Sequence, residues 1–209
     1  MKKQLLFIGF LICSVASANE LIPDFEENSV PVLNEELRRI QSTLEFRGDG
    51  YLFLPIQSAK LPTSNPARID AAENNWRLLF DATTDQSCLW QGVVPNDYNS
   101  DPSLTIFYTM NSATSGSVRF EAKVMALTPG DLADINTDSY DSTNSIGDTV
   151  PGTAGYLASF TLPLTSSDQI QRGDLFKVKI NRDANGTTGT DDASGDCEIV
   201  GVILNWKKR

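Results

Sequence analysis

The sequence predicts an all-β protein built as an antiparallel β-sandwich. From residue 76 onward, short runs rich in β-branched and aromatic residues are separated by clusters of Gly, Pro, Asn, Asp and Ser, a spacing typical of sandwiches and barrels. Several of these runs alternate between apolar and polar residues, so one face of each strand would be buried and the other exposed. No repeat of the length found in solenoids or propellers is present.

The predicted strands cover residues 76–80, 88–94, 104–110, 118–127, 156–164, 175–181 and 198–206. The clearest alternation lies in 118–127, where Arg119, Glu121 and Lys123 separate apolar residues. Run 198–206 is apolar at both odd and even positions, which predicts a strand buried on both faces. Two long polar loops, 128–149 and 182–196, are expected to carry binding residues, because the loops of a sandwich usually do.

The chain begins with the pattern of a secretory signal peptide over residues 1–18. Lys2 and Lys3 precede an apolar run, 5–15, and the small residues Ala16-Ser17-Ala18 follow it. The run is shorter than the roughly 20 residues that a membrane-spanning helix needs. The pattern predicts export to the periplasm, the cell surface or the medium, with no stable membrane insertion after cleavage.

Residues 19–45 are predicted to form an acidic extended lead-in and one short N-terminal helix. Asn34 is a suitable N-cap, and Leu37, Ile40 and Leu44 lie on one helical face. Because so short a helix is marginal alone, it would pack either on its own domain or on copies of itself in an oligomer. Residues 46–75 are predicted to be a linker with one strand near 51–56, and 76–209 the β-sandwich domain.

The composition excludes several functions. The chain has no histidine and a formal net charge of −10, which excludes His-dependent catalysis and His-ligated zinc and disfavours nucleic acid as a partner. Phosphate-binding glycine motifs are absent. These features predict a protein that is not an enzyme and has no catalytic residue. The one enzymatic route left is glycoside hydrolysis by paired carboxylates, for which Glu121 is the most suggestive residue, although it equally fits a solvent-facing position.

Two sets of residues are candidates for binding. Tyr98, Tyr140 and Tyr156 lie in or beside loops, where their rings could stack on a ligand. The second set places several carboxylate and amide oxygens in one loop, and such oxygens are the ligands of calcium sites. Calcium is the only cofactor that the sequence suggests. The members of this set are Asp183, Asn185, Asp191, Asp192 and Asp196. Their spacing does not match an EF-hand, and the same residue types are common in turns.

Cys88 and Cys197 are the two cysteines beyond residue 18. An even number of cysteines in an exported chain permits one disulfide. The alternative is two separate buried thiols, each at the start of a predicted strand.

Three parts of the chain carry a resemblance to known proteins. They are 61–70 (LPTSNPARID) with 76–81 and 85–91 (DQSCLWQ), 173–176 with 181–184 and 195–202 (GDCEIVGV), and 30–40 (VPVLNEELRRI). Together they resemble uncharacterised jelly-roll-like β-sandwich proteins of tailed phages, prophages and environmental viral genomes, of the fibre or head-associated type. The resemblance implies a jelly-roll fold and a homo-oligomer such as a trimer, and it carries no functional residues over.

Three functional hypotheses follow. The resemblance implies a non-catalytic structural or host-attachment protein of a virion, with virion proteins as partners and the virion as its location. The alternative is a secreted bacterial surface or carbohydrate-binding β-sandwich module with cell-surface glycans as partners. It follows from the signal-peptide pattern of residues 1–18. The third is a carboxylate-type glycosidase.

Overall fold

The computed structural model describes residues 48–71 and 75–209, and these form a two-layer β-sandwich. The predicted signal peptide, lead-in and short helix lie outside the described residues. The strands are β1 Asp49–Leu54, β2 Arg68–Asp70, β3 Arg77–Phe80, β4 Gln86–Val93, β5 Tyr98–Met110, β6 Ser117–Leu127, β7 Asn144–Thr149, β8 Ala158–Pro163, β9 Leu175–Arg182 and β10 Cys197–Lys208. A 3₁₀ turn, Ile56–Ser58, follows β1.

The two sheets are antiparallel and have jelly-roll connectivity. One sheet has the order β2-β3-β10-β5-β8, with β1 also pairing with β10, and the other has the order β4-β9-β6-β7. From β3 to β10, every connection except β6–β7 crosses from one sheet to the other. This is the eight-strand arrangement of a jelly roll. The predicted antiparallel sandwich is therefore confirmed.

The core lies between the two sheets and is rich in aromatic side chains. Phe120 of β6 packs edge-on against Phe80 of β3, with ring centroids 5.7 Å apart, and stacks on Phe160 of β8 at 5.5 Å. Each contact joins strands of different sheets. The alternation predicted for residues 118–127 is present as far as Val124, where the even-numbered residues are buried. Beyond it the alternation breaks, because Met125 is buried and Ala126 is half-buried. None of the helices in the described part of the chain is long and apolar enough to cross a membrane.

The structure differs from the sequence expectation in three places. Residues 49–71, expected to be a linker with one strand near 51–56, supply two strands, β1 and β2, and both belong to the six-stranded sheet. The expected loop 128–149 contains strand β7, whose polar sequence NSIGDT lies at the edge of the four-stranded sheet. Finally, Val200 is the extra residue of a β-bulge between Ile199 and Gly201, which puts Ile199 and Val202 in the core together.

The two cysteines are free thiols, so of the two alternatives left open by the sequence, the structure has the two buried thiols and not the disulfide. Cys88 lies on β4 of one sheet and Cys197 on β10 of the other, and both are fully buried. Facing sheets pack about 10 Å apart, whereas a disulfide needs Cα atoms within about 7 Å. Burial raises the pKa of both thiols well above the ordinary range.

We expect reductant to leave the melting temperature of the protein unchanged, because no disulfide constrains the unfolded chain. Buried protonated thiols also react slowly, so iodoacetamide should modify Cys88 and Cys197 only after urea has unfolded the protein. Peptide mapping by mass spectrometry checks this. A melting temperature lowered by dithiothreitol, or a Cys88–Cys197 linked peptide, would contradict the structure.

Candidate aromatic binding face

Strand β1 places two large aromatic side chains in solvent. Tyr51 is 73% exposed and Phe53 is 52% exposed. Leu54 points the other way, into the core, and Leu52 packs partly against it. Gly50 lies directly against the Trp206 ring of β10, so a side chain at position 50 would overlap that ring.

Tyr51 and Phe53 each belong to a row of register partners that runs across the neighbouring strands. Partners in register point to the same side of a sheet, so each row shares the outward side with its aromatic residue. One row is Phe53, Ile203, Thr105 and Thr161, and the next is Tyr51, Asn205, Ser103 and Pro163. We call this outward side of β1, β10, β5 and β8 the aromatic face.

A third aromatic ring joins this face at the bulge of β10. Gly201 pairs with Phe107, which pairs in turn with Ser159. A Cβ atom built on Gly201 would be 3.7 Å from both the Phe107 ring and the Phe53 ring. The two rings therefore flank the glycine, and because it has no side chain, they form a nearly continuous apolar strip.

Hydroxyl and amide groups lie beside the rings. The Asn205 side-chain amide donates to the Thr105 hydroxyl at 2.9 Å, and the Thr105 and Thr161 hydroxyls are 3.4 Å apart. Thr161 and Ser159 are exposed on β8. The face thus offers flat apolar rings next to groups that can donate and accept hydrogen bonds.

The end of the aromatic face next to Tyr51 is charged. Lys207 pairs in register with Asp49, and its ammonium group forms an exposed ion pair with the Asp49 carboxylate at 2.6 Å. A shallow depression beyond Lys207 is lined by Asn99, Ser100, Asp101, Lys207, Lys208 and Arg209. Polar groups therefore border the apolar strip here.

Sequence reasoning missed this face. The run 51–54, Tyr-Leu-Phe-Leu, is apolar at every position, so its pattern does not show which residues point outward. Tyr51 and Phe53 become a pair of exposed rings only through the register of β1 against β10. The one available clue was that 51–56 was expected to be a strand.

The three tyrosines predicted to bind a ligand are not brought together. Tyr98 begins β5 and is only 8% exposed, with its ring in the core, and burial raises its pKa. Tyr156 is 65% exposed at the other end of β5, where the neighbouring Gly155 amide donates to Met110. These two ends are about 40 Å apart for a strand of this length. Tyr140 is half-buried beside Asp141, whose amide donates to Val124 of the other sheet.

The candidate calcium ligands hold the loop after β9 by hydrogen bonds. Asp191 binds the buried Arg182 guanidinium, and Asp192 accepts from the Ser117 amide at 2.7 Å. Asn185 donates to Asp85, and the Asp196 amide donates to Asn111. In the part of the chain that the structure describes, no three acidic or cysteine side chains are grouped closely enough to hold a metal ion.

Asp183 accepts four hydrogen bonds, from the amides and hydroxyls of Thr187 and Thr188. Burial raises the pKa of its carboxyl, but these hydrogen bonds outweigh burial and lower that pKa overall. Its contribution to stability is therefore complete above the unfolded-state pKa of about 4 and is lost as the pH falls through the folded-state value.

We expect Asp183→Asn to destabilise the protein more at pH 7 than at pH 3. Urea unfolding of wild type and variant at both pH values measures the two differences in free energy of unfolding. An equal difference at both pH values would show that the charge of Asp183 does not stabilise the loop.

Glu121 lies on the outward side of β6, where its carboxylate accepts from the Asn181 side chain at 3.2 Å. It is half-buried, and its register partners are Asn181 and Ser145, neither of which is acidic. The paired carboxylates of a glycosidase are therefore not assembled by the strands that pair with β6.

Several solved structures are similar in arrangement but distant in sequence. No protein-family model matches the sequence, and no curated protein is similar to it. A family 35 carbohydrate-binding module from Clostridium thermocellum is 10% identical, with a TM-score of 0.41, over 74% of this chain and 97% of that one. The CBM35 from Paenibacillus barcinonensis is 15% identical, with a TM-score of 0.37, over 74% of this chain and 91% of that one.

The Glycosylation Associate Protein (Gap123) complex from Streptococcus agalactiae is 11% identical, with a TM-score of 0.41. The match covers 77% of this chain but only 26% of that one. Likeness at this level says nothing about a ligand of this chain.

Proposed function

We propose that this protein is a non-catalytic carbohydrate-binding β-sandwich module that binds a neutral glycan chain on the aromatic face. The observation that carries the proposal is the exposure of Tyr51 and Phe53 on one strand, next to Phe107. Aromatic rings in water are costly to leave uncovered, and contiguous apolar patches on a folded protein often mark binding sites.

The polar groups favour a glycan over an apolar partner. A sugar ring has an apolar face of C–H groups and a rim of hydroxyls, so it needs both a flat ring and hydrogen-bonding groups beside it. The aromatic face supplies the rings through Tyr51 and Phe53, and the hydroxyls through Thr105 and Thr161. Because the rows lie on an open sheet surface, they suit an extended chain better than an enclosed small molecule.

Affinity electrophoresis of the purified protein in gels containing β-glucan, xylan or galactomannan tests the proposal. We expect retarded migration in at least one neutral polysaccharide, with unchanged migration in a gel without polysaccharide. No retardation in any of them, with the protein shown to be folded by circular dichroism, would contradict it.

The role in a virion that the resemblance implies, and the homo-oligomer that goes with it, stay predictions. Mass photometry of the full exported chain measures the oligomeric state. A strictly monomeric chain would contradict the oligomer, but it would leave the glycan site unaffected, because the aromatic face lies within one chain.

A further inference from the structure

A row of lysines crosses the outward side of the other, four-stranded sheet. Lys123 of β6 pairs in register with Lys179 of β9, and Lys179 pairs with Leu89 of β4. Lys60, in the segment beside β4, forms an antiparallel bridge with Leu89. Because register partners point to the same side, Lys60, Lys179 and Lys123 face outward together. We call these three residues the lysine row.

No lysine of the row forms an ion pair in the part of the chain that the structure describes, residues 48–71 and 75–209. The nearest acid along β6, Glu121, is hydrogen-bonded to Asn181 instead. Like charges placed directly opposite each other destabilise a sheet, and here Lys123 and Lys179 are such a pair within a chain of net charge −10.

The spacing of the row suits a chain of carboxylates. Neighbouring strands are about 4.8 Å apart, so Lys123 and Lys179 are separated by one strand spacing and Lys179 and Lys60 by two. A polyuronide carries one carboxylate on each sugar ring, and one ring is about as long as one strand spacing. Exposed Gln91 and half-buried Asn181 lie on the same side, in the rows on either side of the lysines, and could bind the sugar hydroxyls.

We propose that the lysine row is a second binding surface, specific for an acidic polysaccharide that carries uronate carboxylates. Nucleic acid fits less well, because three lysines release few counterions and the negative charge of the rest of the protein repels a densely charged phosphate chain. The surface is on the opposite sheet from the aromatic face, so it does not depend on the neutral-glycan proposal.

Isothermal titration with polygalacturonate at low ionic strength tests this proposal. We expect wild-type protein to bind, and K123Q/K179Q to bind roughly 5- to 10-fold more weakly, as expected for the loss of two charge contacts at the surface. Binding should also weaken strongly at 0.5 M NaCl, where the Debye length falls to roughly 4 Å.

The matched control is K208Q/R209Q, which removes the same charge at the end of β10 in the other sheet. It should bind polygalacturonate within about 2-fold of wild type, and thermal melting should show that both variants are folded. Three results would overturn the proposal: no binding by wild type, equal weakening in the control, or equal affinity for single-stranded DNA. Retardation in neutral polysaccharide should be the same in K123Q/K179Q and wild type. Failure of the acidic-polysaccharide proposal can therefore be distinguished from failure of the neutral-glycan proposal.

Discussion

Asp191→Ala should lower the free energy of unfolding by about 3–5 kcal/mol, the cost typical of breaking a buried ion pair on one side. The Arg182 and Asp191 side chains are 0% and 1% exposed. Arg182 donates from Nε and Nη2 to the two carboxylate oxygens, at 3.0 and 2.8 Å. Without the carboxylate, a guanidinium group would remain buried and unpaired.

The same pair fixes the loop that follows β9. Arg182 also donates to the carbonyls of Ala193 and Gly195, at 3.1 and 2.9 Å, and Asp191 accepts from the Arg119 amide of β6. The ion pair therefore ties one loop to two strands, and we expect the loss of Asp191 to affect all of these hydrogen bonds together.

Urea unfolding followed by tryptophan fluorescence measures the effect, and Asp192→Ala is the control. Asp192 is exposed, and its carboxylate accepts one hydrogen bond, from the Ser117 amide, so its loss should cost about 1 kcal/mol. Equal destabilisation by the two substitutions would show that burial of the ion pair does not determine its contribution.

The double variant Y51A/F53A should lose roughly 30- to 100-fold in affinity for a neutral polysaccharide that wild type binds. Two aromatic rings that stack on sugar faces would contribute together about 2–3 kcal/mol to binding. Both side chains are largely in solvent in the free protein, and surface substitutions usually change stability little. We therefore expect binding to fall while the melting temperature stays within a few degrees of wild type.

Tyr156→Ala is the matched control for this variant. Tyr156 is about as exposed as Tyr51, but it precedes β8, away from the Tyr51 end of the aromatic face. Isothermal titration should give wild-type affinity for Y156A. If Y156A loses binding and Y51A/F53A does not, the loop tyrosine predicted from the sequence is the ligand contact and the aromatic face is not.

The sequence was informative wherever burial on one face determines the pattern. Residues 118–124 alternate because one side of β6 is in the core, and that periodicity predicted both the strand and its orientation. The final strand could not be predicted in the same way. The bulge at Val200 shifts the register of β10, so Ile199 and Val202 both face the core. A strict alternation of buried and exposed residues, continued past the bulge, would place the side chains that follow on the wrong side of the sheet.

The candidate sites depended on contacts between distant segments. The aromatic face needs β1 to pair with β10, and the run 51–54 is apolar at every position, so its pattern alone does not show which side Tyr51 faces. Similarly, Asp191 lies in a polar loop whose composition is typical of turns and of calcium sites. Its partner Arg182 is buried at the end of β9, and only the folded chain reveals that the two side chains form an ion pair.

Chemical-shift mapping by NMR tests the glycan site most directly. Isotope-labelled protein is titrated with cellohexaose, xylohexaose and mannohexaose, and the backbone and ring signals are followed. We predict that a ligand which binds shifts the signals of Tyr51, Phe53, Phe107 and Thr105, and leaves those of Tyr140 and Tyr156 in place. Shifts confined to the loops around Tyr140 and Tyr156, with none on β1 or β5, would contradict a binding site on the aromatic face.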